Sequence, residues 1–126
     1  MVRMVHNESI REYNSYLGKE LSTLLILSSL SDKKSSSTYE LIRDIKIKTQ
    51  NKISLRAGTI YPHMVKLESM GVIDKSIEDT PSRSEGVIRQ KSVYSITQKG
   101  LEMLKEKKRD WNDLQFIINR LIADET

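Results

Sequence analysis

The 126-residue chain contains no cysteine, so it can form neither a disulfide framework nor a thiolate metal site. Its two histidines, His6 and His63, are too few ligands for a histidine zinc centre. We therefore expect no metal and no cofactor. Long apolar runs are also missing: the longest, Leu24 to Leu27, is far too short to cross a bilayer. The opening MVRMVHNESIREY lacks the apolar centre and small-residue cleavage site of a secretory signal, which predicts a cytoplasmic protein with no membrane partner. Nucleophile elbows, phosphate loops and paired-carboxylate motifs are absent as well, so an enzyme is not expected.

What remains is 37% hydrophobic and 30% charged, the mixture of a foldable domain rather than a disordered chain. The net charge is only +4, but it is unevenly placed. Between Lys33 and Arg56 seven basic residues stand against two acidic ones, while the remainder is close to neutral. A localised surplus of this kind suits a phosphate-binding face, although a solvated lysine-rich helix would look the same in sequence.

Periodicity gives the order of elements. Residues 1–16 carry a capping-box pattern, Ser9 and Glu12, and are expected to form an arm or short helix. From Leu17 to Leu30 apolar residues surround a helix instead of marking one stripe, so this helix must be buried on several sides. Ser37 and Glu40 form a second capping box, opening a helix to about Thr49. A short turn at Asn51 and Lys52 leads to a third helix from Ser54 or Leu55 to Met70, with Ile60, Met64 and Leu67 on its inner face and Gly71 as terminator. Two β-prone segments, 72–77 and 87–96, flank the polar DTPSRSEG and predict a hairpin wing. Thr97 is placed to cap a final helix running to about Ala123, since no proline or glycine follows Gly100. The fold class expected is mainly α with a small β-hairpin (α+β): a winged helix-turn-helix over 17–96, followed by a C-terminal dimerisation helix over 97–126.

In a helix-turn-helix the second helix enters the major groove while basic neighbours hold phosphates. Here its outward face would carry Gly58, Thr59, Pro62, Val65, Lys66 and Ser69, a small and mostly uncharged surface that allows close approach. Pro62 is unusual inside a helix, because its ring crowds the carbonyl four residues back, that of Gly58. The run Gly58, Thr59, Ile60, Tyr61, Pro62, followed by Lys66, Leu67, Glu68 and Gly71, resembles the recognition-helix pattern of the PadR family of transcriptional regulators. Tyr94, Ile96, Thr97 and Gly100 are similar to that family's passage from the second wing strand into the last helix, and Thr38 and Tyr39 to its second-helix start. Thr38 stands where the family commonly has glycine, and the wing has fewer arginines than many members.

That resemblance implies a DNA-binding regulator on an inverted-repeat operator, usually a repressor, which a small aromatic or planar ligand releases. The residues assigned to DNA are Thr38, Tyr39, Arg56, Gly58, Thr59, Tyr61, Pro62 and Lys66, with Arg83, Arg89 and Lys91 on the wing. Tyr61 lies at the edge of the buried arc and is equally readable as a core residue. His63 reads as a packed residue rather than a sensor or ligand.

The last helix points to a second copy. Some 25 residues extend roughly 38 Å, more than the roughly 30–35 Å width of a compact domain of this size. Its far end carries Trp111, Leu114, Ile117, Ile118, Leu121 and Ile122, and pairing these with the same helix and with Leu24 and Leu27 of a partner would cover them. Trp111 would then pack in a dimer core or line a cleft for a flat ligand. The rival function is a winged-helix module that docks on proteins and never touches DNA.

Overall fold

The computed structural model describes residues 8–81, 86 and 88–123. Its order is α1 (Glu8–Ser31), α2 (Thr38–Lys48), α3 (Ala57–Ser69), β1 (Ile73–Pro81), β2 (Ile88–Ile96) and α4 (Gln98–Ala123). The winged-helix α+β class expected from sequence is the one observed. One core joins the elements: Ile26, Leu27 and Leu30 of α1 meet Leu41 and Ile45 of α2, Ile60, Met64 and Leu67 of α3, and Val72, Ile73, Tyr94 and Leu104 beyond them.

Local chemistry sets most boundaries. Ser37 caps α2, its hydroxyl accepting from the Glu40 amide at 3.2 Å. At the other end Thr49 Oγ1 donates to the Ile45 carbonyl at 2.8 Å and accepts from the Ile53 amide at 3.1 Å. The expected short turn follows, with Gln50 and Asn51 at φ 54° and 64°, and an extended stretch over 53–56 comes after it, from which Ile53 and Leu55 pack against the core. Helix α3 consequently starts at Ala57, later than Ser54 or Leu55. The expected break at residues 16 and 17 is also absent: α1 runs through it, and Ser9 lies inside the helix rather than capping one.

Helix α3 ends in a Schellman motif. Gly71 takes φ +75°, its amide donates to the Glu68 carbonyl at 2.9 Å, and the Val72 amide donates to the Leu67 carbonyl at 3.2 Å. Val72 is buried and starts the turn into the hairpin, whose antiparallel register pairs Ile73 with Ile96 and Pro81 with Ile88. Both strands are nine residues long, so β1 extends past Ile77 into the stretch read as loop. Ser36 adds a bridge to the base of the hairpin, exchanging backbone hydrogen bonds with Tyr94 at 2.8 and 2.9 Å.

Thr97 then caps α4. Its hydroxyl accepts from the Gly100 amide at 3.0 Å and donates to the Gly71 carbonyl at 2.7 Å, so one side chain ties the end of α3 to the start of α4. A β-carbon on Gly100 would collide with the Val72 carbonyl oxygen and lie 2.6 Å from Ile96 Cγ1. Gly18, on exposed α1, has open space around the same position. Gly100→Ala should therefore destabilise the fold by about 3 kcal/mol, whereas Gly18→Ala should stabilise it by up to about 1 kcal/mol. Urea denaturation midpoints of the two variants check this, and equal midpoints would show that the junction yields.

Candidate nucleic-acid interface

Helix α3 is anchored through Ile60, Met64 and Leu67 and turns its other side outward. Arg56, Gly58, Thr59, Pro62, Val65 and Lys66 are all exposed there, and Tyr61 is 53% exposed, which settles its two sequence readings in favour of the surface. The first turn has no side-chain cap, and its Thr59 amide donates to the Arg56 carbonyl at 3.0 Å. Pro62 removes the amide that would bond the Gly58 carbonyl, and both residues sit in water. The surface is thus low in bulk, with a helix N-terminus and two flanking cations, Arg56 and Lys66.

Tyr39 stands 72% exposed on the first turn of α2, but its neighbour Thr38 is buried. Thr38 follows the cap with its side chain turned inward, and the expectation that it faces DNA is corrected. On the wing, Arg89 is exposed. Lys91 is instead engaged, its Nζ 3.0 Å from Glu40 Oε1 of α2. The Glu40 carboxyl is held below its ordinary range mainly by that hydrogen bond. Lys91 therefore fastens the wing to α2 rather than standing free for phosphate. Arg83 lies outside the described residues.

The basic surplus divides in the same way. Asp44 of α2 accepts from Ser29 Oγ at 2.5 Å and pairs with Lys48 at 3.2 Å and Lys33 at 3.5 Å, while Lys48 also reaches Asp32 at 2.8 Å. These contacts join the end of α1 to α2 and commit two of the seven cations. Lys34, Arg43, Lys46, Lys52 and Arg56 are exposed and form no ion pair with a described residue. The i,i+4 spacing of Asp44 and Lys48 is a signal the sequence offers, whereas the pairing of Lys33 depends on how the chain between α1 and α2 folds back.

The far part of α4 stands clear of the domain: Leu104 is its last buried residue, and Trp111, Leu114, Ile117, Ile118, Leu121 and Ile122 are all exposed. Trp111, Leu114, Ile118 and Leu121 alternate by three and four and so share one stripe. Leu24 is half-buried against the core. Leu27 is 0% exposed and enclosed within its own chain, so its assignment to an interface is corrected.

The model of the PadR-like family of transcriptional regulators matches residues 26–106. The chain belongs to this family. Its fold is similar to a transcriptional regulator from Clostridium thermocellum, with 26% identity, a TM-score of 0.70, and coverage of 81% of this chain and 93% of that one. A PadR-like transcriptional regulator from Bacillus cereus is 25% identical with a TM-score of 0.66, covering 82% and 93%. Among curated proteins no relative matches. The PadR-like match spans α3, both strands and the α3–α4 junction, so the motifs read from sequence fall within it. Among the described residues no helix is long and apolar enough to cross a membrane.

The Asp44 cluster predicts acid sensitivity. Burial alone would raise the Asp44 carboxyl, but hydrogen bonds from Ser29 and Lys48 with the charge of Lys33 outweigh it and lower it. A carboxyl lowered on folding adds stability that is complete above its unfolded value and lost as pH falls through the folded one. Asp44→Asn should therefore cost about 1–2 kcal/mol near neutral pH and progressively less in acid, as read by urea unfolding. A penalty that does not shrink on acidification would remove Asp44 from this role.

Proposed function

We propose that the chain is a sequence-specific double-stranded-DNA-binding regulator that acts in the cytoplasm as a homodimer, a repressor on an inverted-repeat operator. The observation that carries the reading is the outward face of α3: low in bulk at Gly58, Thr59 and Pro62, with Tyr61 exposed beside them, without a side-chain cap at its N-terminus, and bordered by cations with no internal partner. Such a face lets backbone and short side chains approach base edges while Arg56, Lys66 and the unpaired Arg43 and Lys46 of α2 meet phosphates. Arg89 extends the contact from the wing, and Tyr39 borders it from α2. Membership of a family of transcriptional regulators supports the same reading.

The exposed stripe of α4 supports the dimer. A large apolar surface on a protruding helix is rarely left in water, and a second copy about a two-fold axis covers it with the same residues. Trp111 in that seam is read as packing, since large aromatics supply burial more often than ligand stacking. A planar compound that quenches Trp111 fluorescence and releases DNA would convert the seam into an effector cleft.

Binding to promoter fragments with a steep salt dependence tests DNA recognition itself. A chain that binds protein partners but no duplex at low salt would be the interaction module instead. Thr59→Ala and Tyr61→Ala should each weaken operator binding by about 1–3 kcal/mol with the fold retained, and an unchanged affinity in the folded double variant would retire the reading head.

Because each protomer carries one α3, two half-sites about 34 Å apart are expected. Ile118→Lys with Leu121→Lys should abolish the dimer and with it operator binding, since coupling two modules makes the second contact intramolecular. Sedimentation and DNA titration of that variant check this. A folded monomer with unchanged operator affinity would remove both the dimer and the inverted repeat.

A further inference from the structure

His63 lies on the flank of α3 between its buried and outward faces, half-buried against α1. Its Nε2 is 2.6 Å from Thr23 Oγ1. With the Thr23 hydroxyl donating to the Lys19 carbonyl at 3.0 Å, its oxygen accepts from Nε2 of the ring. That arrangement is the Nε2–H tautomer. The lone pair sits on Nδ1, to which no described residue donates. A proton added there leaves the Thr23 contact intact.

The charges around the ring come from both elements that pack on it. Lys66 lies three residues beyond His63 on α3, and Lys19 lies one turn before Thr23 on α1, its carbonyl reached by the Thr23 hydroxyl, with Glu20 next to it. Glu20 is paired with Lys107 of α4 at 2.8 Å, which weakens its pull on the imidazole. Lys19 and Lys66 are exposed and form no ion pair with a described residue. Burial, then Lys66 and Lys19, keep the imidazole below its ordinary range in the free chain. An anion lodged between the two lysines reverses their effect on the ring, because it adds a negative charge beside a group that two positive charges had held neutral. Lys66 lies on the outward face of α3 that the proposed function turns to DNA, so the anion presented there is a backbone phosphate.

We propose that Lys19, His63 and Lys66 form a phosphodiester clamp across α1 and α3, in which His63 takes a proton on Nδ1 as a phosphate of bound duplex arrives. The clamp rests on the DNA-binding reading. Thr23 is its positioning residue, fixing the ring so that Nδ1 and not Nε2 receives the proton. The proton comes from solvent and no covalent bond changes. Since uptake accompanies binding, affinity is highest below the histidine range and falls as pH rises through it.

The test uses the full chain carrying His6→Gln, which leaves His63 as the one histidine. With DNA bound, NMR should show the ring protonating at a higher pH than in the free chain. Duplex affinity at fixed salt should rise about fivefold from about pH 7.5 to about pH 6, a gain absent when His63→Gln is added. Lys19→Gln should reduce that gain and lower the salt slope by about one. If duplex binds but the ring titrates alike with and without it, or if His63→Gln leaves the pH slope unchanged, the clamp is overturned and the regulator reading stands. If no duplex binds at any pH in low salt, the regulator reading fails and takes the clamp with it. Inorganic phosphate at the same concentration should leave the ring unmoved, and an equal shift would overturn the assignment to a duplex backbone.

Discussion

Thr97 Oγ1 bonds the Gly71 carbonyl and the Gly100 amide at 2.7 and 3.0 Å, and the geometry of the molecule hangs on this small junction. Gly71 needs its left-handed φ to end α3, Val72 closes the Schellman turn and turns its carbonyl toward α4, and Gly100 must be bare to lie against that carbonyl. The Thr97 amide adds a further bond to the Val72 carbonyl at 3.1 Å. The helix that presents the outward face and the helix that carries the apolar stripe are thereby fixed to each other through backbone, not through long side chains. Buried backbone contacts of this kind have no alternative rotamer to relax into.

Around that junction, charge sorts itself into two jobs. Asp44 and Glu40 draw Lys48, Lys33 and Lys91 inward: Lys91 with Glu40 joins the wing to α2, Lys33 with Asp44 joins the α1–α2 connection to α2, and Lys48 with Asp44 is a one-turn pair within α2. Exposed ion pairs contribute little individually, so their main effect is to orient the elements. The cations left outside are the ones at liberty to meet a polyanion. Net charge over 33–56 thus overstates the field at the surface, and the count that matters is of cations lacking a carboxylate neighbour.

Much of this was legible in the residue order because it is local. Ser37, Gly71 and Thr97 mark helix ends through hydrogen bonds to residues three or four positions away, and Ile60, Met64 and Leu67 name the inner face of α3 by spacing alone. The errors share a different origin. Lys91 looked like a phosphate ligand until the hairpin register brought it to Glu40, Leu27 looked available until α2 and α3 closed over it, and Thr38 turned inward at the first turn of α2. Each depends on a neighbour distant in sequence. The pairing of Thr23 with His63 across forty positions is of the same kind, and no spacing rule announces it. The turn at Asn51 and Lys52 was legible, but not the extended stretch 53–56 after it, whose Ile53 amide is held by the side chain of Thr49 and which delays α3 to Ala57.

A lever with no joint follows from the junction. Helix α4 has 26 residues, of which the first turns are clamped at Gly100 and Leu104 while the rest projects. No proline or glycine interrupts it after Gly100, so it has none of the usual causes of a kink. Where α4 meets the domain, Gly100 lies against the Val72 carbonyl and the Ile96 side chain, so the junction has little room for a change of angle. In the proposed dimer a tilt of one α4 against its counterpart would therefore carry α3 with it, and the packing of the two apolar stripes would set the separation of the two outward faces.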